Sequence, residues 1–390
     1  MLKRHILKTV TEQLKRSPSV VLLGPRQAGK TTLAKIIAKQ SSKPSIYLDM
    51  ERPTDKQRLN DAETFLRAQE GKLVIIDEIQ RTPYLFEILR GIIDDLRSTK
   101  NKNGHFLLLG SASLDLLQQT SETLAGRISY AEMSTINALE LPKNIKLPKN
   151  LWVRGGFPES LLQKNDAQSI AWRQDFIRSY LERDVPLFAP RLPSETIGRL
   201  WKMLAATQGS PLNQQQFSSS LSVSSPSIAR YIDLLVDLLL IRRLRPWSNN
   251  NKKRLIHSPK IYLRDSGIAH ALLDLQSWED ILGNPICGPS WEGFVIENLI
   301  SIAKPQRTPY YYRTADGAEI DLLFEHGGKI ETAIEIKLSA SPTISKGFYL
   351  ACQDLKPKQS FVVHGGTEEW PIDKNITAIS LIGLMKRLAS

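Results

Sequence analysis

Residues 24–32 of the chain read Gly24-Pro25-Arg26-Gln27-Ala28-Gly29-Lys30-Thr31-Thr32, and this stretch decides the fold of the first part of the protein. It matches the pattern G-x-x-x-x-G-K-[ST] and lies between a predicted strand at 19–23 and a predicted helix at 30–40. The glycines allow the backbone to wrap a phosphate, whose charge then meets amide N–H groups and the positive end of a helix. The stretch therefore predicts an ATP-binding loop, in which Lys30 reaches the β- and γ-phosphates and Thr31 ligates Mg²⁺.

A second apolar run, further along the chain, ends in two acids and reads Val74-Ile75-Ile76-Asp77-Glu78. An Asp at the carboxyl end of a strand can hold magnesium, as it does in P-loop NTPases. The Glu that follows can polarise the attacking water as a general base. The pair therefore predicts hydrolysis of ATP by Asp77 and Glu78, rather than the activity of a kinase or of a GTPase that lacks the second acid.

Two further polar residues are candidates for the same site. A third apolar run at 106–109 ends in Gly-Ser-Ala-Ser, and its Ser111 is expected to sense the γ-phosphate or to orient the water. Arg127 follows Ala125 and Gly126, and it could stabilise the charge of the transition state from its own subunit or from a neighbour. An ordinary surface role for Arg127 remains open.

The composition limits the classes of protein to which the chain can belong. Its 390 residues suffice for about two or three domains, and 52 Lys and Arg against 40 Asp and Glu give a net charge of +12. This excess fits an anionic partner, either nucleic acid or a membrane surface. The two cysteines, Cys287 and Cys352, cannot build a disulfide framework or a four-thiolate zinc site. No apolar run approaches the length of about 18 residues that spans a bilayer, so we expect a soluble, cytoplasmic protein with no membrane partner.

Short motifs along most of the chain carry a resemblance to a known family. In order, they read Gly-Pro-Arg-Gln-Ala-Gly-Lys-Thr, Ile-Ile-Asp-Glu-Ile-Gln, Gly-Ser-Ala-Ser, Leu-Ala-Gly-Arg, Gly155-Gly156-Phe157-Pro158-Glu159, Tyr180-Leu181-Glu182-Arg183-Asp184 and Trp291-Glu292-Gly293-Phe294. With them the chain resembles the AAA+-like ATPases of archaea and bacteria that carry a C-terminal domain of unknown function. The resemblance implies binding and hydrolysis of ATP, but it implies no substrate.

A helix-rich segment in the middle of the chain predicts a winged helix. Three short helical patterns at 200–207, 212–221 and 225–235 precede two strand patterns. Between 242 and 260 the chain carries seven Lys or Arg and no acid, and such a basic ribbon could contact the phosphates of DNA. The candidate DNA-binding residues are Arg242, Arg243, Arg245, Lys252, Lys253 and Arg254. Winged helices also bind proteins, and this alternative stays open.

The last part of the chain resembles the core of restriction-endonuclease-like folds. Asp321 lies on one predicted strand, and Glu335 and Lys337 follow on the next, where alternation directs them to one face. Asp321 and Glu335 could hold Mg²⁺ while Lys337 orients a water, and Glu297 matches the helix acid of that fold. An inactive scaffold, with these residues as structural salt bridges, is the alternative to a nuclease.

We therefore predict an α/β multidomain protein with four parts: a P-loop ATPase domain with a parallel sheet (1–140), a helical connector (141–194), a winged helix (195–265) and a restriction-endonuclease-like α/β domain (266–390). The predicted function is ATP hydrolysis coupled to work on nucleic acid, with DNA favoured over RNA because of the endonuclease-like fold. A ring of identical subunits with ATP is compatible with this function. The alternative is a nucleotide-gated signalling or scaffold protein whose C-terminal domain binds a protein partner.

Overall fold

The computed structural model describes residues 2–98, 102–112, 126–141, 149–189, 192–248 and 255–389. The chain divides into two compact units, Met1–Ile136 with Asp237–Leu239, and Asn137–Val236 with Leu240–Ser390. The predicted boundaries at 140, 194 and 265 remain predictions. In the residues described, no helix is long and apolar enough to cross a membrane.

The first unit is built on five parallel strands. They are β1 (Ser19–Leu23), β2 (Ser45–Asp49), β3 (Leu73–Asp77), β4 (Phe106–Gly110) and β5 (Ile128–Glu132), arranged in the order β2-β3-β4-β1-β5. Strands β1, β3 and β4 are buried along their whole length, as expected where helices cover both faces of a parallel sheet. The predicted fold class of this part, a parallel α/β sheet of the P-loop NTPase type, is confirmed.

Helices cover the two faces of this sheet. They are α1 (Ile6–Arg16), α2 (Lys30–Gln40), α3 (Pro53–Arg58), α4 (Ala62–Arg67) and α5 (Leu85–Arg97), with a 3₁₀ turn at Ile79–Arg81. Apolar residues of α1 and α2 fill one core, and those of α4 and α5 fill the other. Because all five strands are parallel, the loops that follow β1, β3 and β4 meet at one edge, where such sheets bind their ligands.

The second unit begins with helices. They are α6 (Lys149–Arg154), α7 (Pro158–Leu161), α8 (Asp166–Ser179), α9 (Val185–Phe188), α10 (Ser194–Ala206), α11 (Gln214–Leu221) and α12 (Ser225–Asp237), with a 3₁₀ turn at Ala138–Glu140 and a π-helical turn at Tyr180–Asp184. Strands β6 (Ile241–Leu244) and β7 (Lys260–Leu263) follow as an antiparallel pair. The helices α10, α11 and α12 and the strand pair β6–β7 thus occur in the order that the sequence predicts.

A six-stranded mixed sheet forms the rest of the second unit. Its strands are β8 (Thr308–Arg313), β9 (Glu319–His326), β10 (Lys329–Ile336), β11 (Gln359–His364), β12 (Trp370–Asp373) and β13 (Ile376–Ser380), in the order β12-β13-β11-β10-β9-β8. The accompanying helices are α13 (Ser266–Leu272), α14 (Trp278–Leu282), α15 (Cys287–Ile302), α16 (Lys346–Leu355) and α17 (Leu381–Ala389). Strands β10, β11 and β13 are parallel, and the other pairings are antiparallel. The strands predicted around Asp321 and Glu335 are therefore β9 and β10.

Candidate functional site

The loop that follows β1 has the backbone of a phosphate cradle. Gly29 has a φ of 98°, in the left-handed region that favours glycine, and α2 begins at the next residue. A Cβ on Gly24 would lie 2.6 Å from the carbonyl oxygen of Met133, so no larger residue fits there without movement. The amide N–H groups of this loop and of the first turn of α2 are the donors that bind a phosphate.

Lys30 is buried beneath this loop. Its ammonium group donates to the carbonyl oxygens of Gly24 at 2.8 Å and Pro25 at 3.0 Å. The side chain therefore lies along the loop, where its charge can meet a phosphate. Arg4 donates to the carbonyl oxygen of Ala28 at 2.9 Å, so a residue from before α1 also stabilises the loop.

Thr31 and Asp77 meet at the edge of the sheet. The Thr31 hydroxyl donates to Oδ2 of Asp77 at 2.6 Å, and the backbone N–H of Glu78 donates to Oδ1 at 3.0 Å. Tyr47 also donates its phenol to Oδ2, and burial raises the pKa of that phenol well above its usual value, with a further contribution from Asp77. A hydroxyl beside a carboxylate is an oxygen set that suits Mg²⁺, so Thr31 and Asp77 fit the predicted metal.

Glu78, the predicted general base, lies next to Ser111, the predicted γ-phosphate sensor or water-orienting residue. The Ser111 hydroxyl donates to the Glu78 carboxylate at 3.1 Å. Gln80 donates to the same carboxylate, and its Nε2 lies 2.7 Å from Oγ of Ser111. Glu78 itself has a φ of 56°, an uncommon conformation for a residue with a side chain, and such backbone strain is concentrated at functional sites.

The other predicted residues of the first unit have different surroundings. Arg127 forms a bidentate ion pair with Asp94, with N–O distances of 2.6 and 2.9 Å, and this pairing lowers the pKa of Asp94. Arg26 lies 4.0 Å from Glu51, and Thr32 is exposed on α2. Ala125 of the predicted motif lies outside the described residues.

In the second unit, a buried lysine connects two carboxylates. Lys260 of β7 lies 3.1 Å from Glu292 of α15 and 2.9 Å from Glu319 of β9, and its side chain is only 3% exposed. Burial lowers the pKa of Lys260, but the negative charges of Glu292, Asp321 and Glu319 outweigh this effect and raise it above its usual value. Tyr262 donates its phenol to Glu292.

The predicted nuclease residues Asp321, Glu335 and Lys337 lie beside this lysine-bridged pair. Asp321 accepts a hydrogen bond of 2.8 Å from the backbone N–H of Ile336, and burial together with Glu292 raises its pKa well above the usual range. Glu335 is buried and forms a 2.9 Å ion pair with Lys337. The described part of the chain contains no group of three or more His, Cys, Asp or Glu side chains that could hold a metal ion.

Glu297, predicted as the helix acid of the nuclease-like site, has other partners. Its carboxylate pairs with Arg242 of β6 and, at 3.2 Å, with Arg264. The residue of α15 that interacts with Asp321 is instead Glu292. The two acids are five positions apart on one helix, so they point in different directions.

The basic ribbon is less basic in the fold than in the sequence. Arg242 pairs with Glu297, Arg243 with Asp233 and Lys260 with two acids, because other elements bring carboxylates to a segment that has none of its own. Arg245 is exposed. The three remaining DNA-binding candidates lie outside the described residues: Lys252, Lys253 and Arg254.

Sequence reasoning missed Tyr47 and Gln80 beside the predicted nucleotide site, and it missed the pairing of Lys260 with Glu292 in the second unit. Tyr47 lies in an apolar strand, where a tyrosine is typical of the core, although its place near the end of β2 could have suggested contact with Asp77. Gln80 follows the acidic pair by two positions, and this spacing was a usable signal. Nothing in the local sequence pairs Lys260 with Glu292, because that contact depends on how β7 packs against α15.

Family comparisons divide the chain into three parts. Residues 16–141 match the family described as AAA domain. Residues 145–279 match a domain of unknown function (DUF8612), and residues 287–383 match another (DUF4143). The restriction-endonuclease-like and winged-helix folds therefore remain predictions.

Two curated proteins are similar over nearly the whole chain. They are the uncharacterized proteins Rv2008c of Mycobacterium tuberculosis and Mb2031c of Mycobacterium bovis, each 38% identical over 377 residues. The alignment covers 97% of this chain and 83% of each relative. Among solved structures, the Walker-type ATPase PABY2304 of Pyrococcus abyssi is similar, with a TM-score of 0.48, 14% identity, and coverage of 68% of this chain and 94% of that one.

Proposed function

The chain belongs to the same family as the two mycobacterial proteins, with an AAA-type ATPase domain, and we propose that it hydrolyses MgATP with Glu78 as the general base. The observation that carries this proposal is the group at the edge of the first sheet. Thr31 and Asp77 are in contact there, and Glu78 is hydrogen-bonded to Ser111 beside them.

Each residue has a role that follows from its chemistry. Lys30 and the loop amides neutralise the phosphates, while Thr31 and Asp77 would hold Mg²⁺, which adds further positive charge when bound. Glu78 accepts the proton of the attacking water, and Ser111 orients that water or senses the γ-phosphate. Arg127 is proposed to act on the transition state from a neighbouring subunit, for which its pairing with Asp94 would have to open.

Binding of a fluorescent ADP analogue tests the nucleotide site. Lys30→Ala should abolish tight binding, because the substitution removes the positive charge that lies along the loop. Lys39→Ala is the matched control, since Lys39 lies exposed near the other end of the same helix and should bind like the parent. Equal affinity of Lys30→Ala and the parent would contradict the assignment of the loop.

We further propose that ATP hydrolysis is coupled to work on DNA through a winged helix. The proposal is supported by helices α10, α11 and α12 followed by the antiparallel pair β6–β7, which is the element order of that fold. Arg230 of α12 and Arg245 after β6 are exposed and could contact phosphates. Arg242 and Arg243 contribute less to this surface, because acids already pair with them.

The salt dependence of DNA binding tests this second step. Four phosphate contacts would give a slope of about −3.6 in log K against log salt, at roughly −0.9 per contact. Replacing Lys252, Lys253 and Arg254 together with Ala should reduce the steepness by about two to three units, because each basic side chain that binds a phosphate contributes roughly one unit. ATP turnover without DNA should not change.

A matched control and an alternative outcome complete the DNA experiment. Three exposed lysines of the second unit can be replaced together as the control: Lys356, Lys358 and Lys374. If the salt slope of the Lys252, Lys253 and Arg254 variant equals that of the parent, the assignment of DNA binding to the basic ribbon is wrong. If the parent shows no salt-dependent binding to DNA, the result favours a winged helix that binds protein.

For the last part of the chain we propose a restriction-endonuclease-like scaffold that binds its partner without cutting. The observation that favours it is the pairing of the acids: Lys260 connects Glu292 and Glu319, and Lys337 pairs with Glu335. Positive side chains thus already compensate these acids, and the described residues hold no group of three or more His, Cys, Asp or Glu side chains that could bind a metal ion. Incubation of plasmid DNA with Mg²⁺ or Mn²⁺ should leave it intact, and cleavage that Lys337→Ala abolishes would contradict the scaffold.

A further inference from the structure

Tyr47 is a half-buried tyrosine whose phenol reaches the nucleotide site from the neighbouring strand. It lies on β2, which pairs in parallel with β3 so that Tyr47 stands opposite Ile75. Its ring packs against the core beneath α2, and the ammonium group of Lys35 lies 5.6 Å from the ring centroid. These contacts fix the ring, and with it the direction in which the hydroxyl points.

The hydroxyl of Tyr47 acts on the carboxylate of Asp77. It donates to Oδ2, the same oxygen that accepts the Thr31 hydroxyl at 2.6 Å. The other oxygen, Oδ1, accepts the backbone N–H of Glu78 at 3.0 Å. Donors on both oxygens determine the plane of the carboxylate, and hydrogen bonds to an ionised carboxylate are among the stronger ones in proteins.

We propose that Tyr47 is a positioning residue for Mg²⁺ at the nucleotide site, because it orients the Asp77 carboxylate toward Thr31. This inference rests on the proposed function, in which Thr31 and Asp77 hold the metal. Tyr47 itself does not touch the nucleotide or the metal in this assignment. Outer partners of metal ligands commonly have this role, and their loss lowers metal affinity or activity about 10–100-fold.

Tyr47→Phe tests the proposal, since it keeps the packed ring and removes only the hydroxyl. The affinity of a fluorescent ADP analogue is measured in EDTA and then over a series of Mg²⁺ concentrations. We expect the Mg²⁺ concentration at half-maximal effect to rise about tenfold. Affinity in EDTA should stay at the parental value, because the hydroxyl is expected to act only through the metal. Tyr130→Phe, on β5 of the same sheet, is the control and should behave like the parent.

A double variant separates positioning from a purely structural role. If Tyr47 acts through Asp77, adding Tyr47→Phe to an Asp77→Asn variant should not change the Mg²⁺ requirement further, because two substitutions that remove the same interaction are not additive. An unchanged Mg²⁺ requirement in Tyr47→Phe, or equal weakening with and without Mg²⁺, would overturn the inference. Failure of the parent to bind ADP at all would instead overturn the proposed function on which it rests.

Discussion

Replacing Lys260 with Met should destabilise the second unit. Methionine keeps the length of the side chain and its packing, but it removes the charge that lies 3.1 Å from Glu292 and 2.9 Å from Glu319. The side chain of Glu292 is 19% exposed and that of Glu319 is 30% exposed, so neither carboxylate recovers full hydration when the lysine is replaced.

The burial of this ion pair sets the size of the expected effect. Removing one partner of a buried pair costs about 3–5 kcal/mol, because it leaves an uncompensated charge. Glu319 is the more exposed of the two acids, so we expect the lower end, about 3 kcal/mol. At roughly 2–4 °C per kcal/mol for a unit of this size, the melting temperature should fall by about 6–12 °C.

Thermal unfolding followed by calorimetry measures this destabilisation, and Lys202→Met is the matched control. Lys202 lies at the same distance of 3.1 Å from Asp274, but the two side chains are 57% and 68% exposed, so its replacement should cost less than about 1 kcal/mol. Combining Lys260→Met with Glu292→Gln should restore part of the stability. If Lys260→Met unfolds at the same temperature as Lys202→Met, the reasoning about the buried network is wrong.

Three further predictions follow from individual contacts. Burial raises the pKa of Asp321, so the folded chain retains a proton that the unfolded chain has released, and stability falls as the pH rises from about 4 towards 8. The melting temperature of Asp321→Asn minus that of the parent should therefore increase over that pH range. A difference in melting temperature that stays constant would contradict the raised pKa. Gln80→Ala should lower kcat about tenfold and leave the ADP affinity unchanged, because Gln80 orients Glu78. A kcat equal to that of the parent would contradict this role for Gln80. Mixing Arg127→Ala with Lys30→Ala protein should restore partial ATPase activity, and absence of rescue would count against action between subunits.

The nucleotide site was predictable because its signals are local. The loop, its strand and its helix are contiguous in the sequence, and the acidic pair lies at the end of an apolar run. Parallel strands then bring Thr31, Asp77, Glu78 and Ser111 to one edge, whatever the length of the connections between them. Residues predicted in this way therefore lie close together in the fold.

The charges of the second unit were not predictable in the same way. The segment from 242 to 260 has no acid of its own, but Asp233, Glu297 and Glu292 reach it from helices elsewhere in the chain. Such pairing depends on the packing of elements far apart in sequence, which spacing along one strand does not reveal. The different surroundings of Glu292, near Asp321, and Glu297, paired with Arg242 and Arg264, have the same origin, since both acids lie on one helix and only packing distinguishes them.

The fate of bound ATP in Glu78→Gln tests the central claim most directly. Radiolabelled ATP is incubated with Mg²⁺ and each protein, and the ATP and ADP retained by the protein are separated and counted. Glu70→Gln, an exposed acid of the same unit, serves as the control and should turn over like the parent. If Glu78 is the general base, Glu78→Gln retains ATP and releases almost no ADP; hydrolysis at the parental rate would contradict the account.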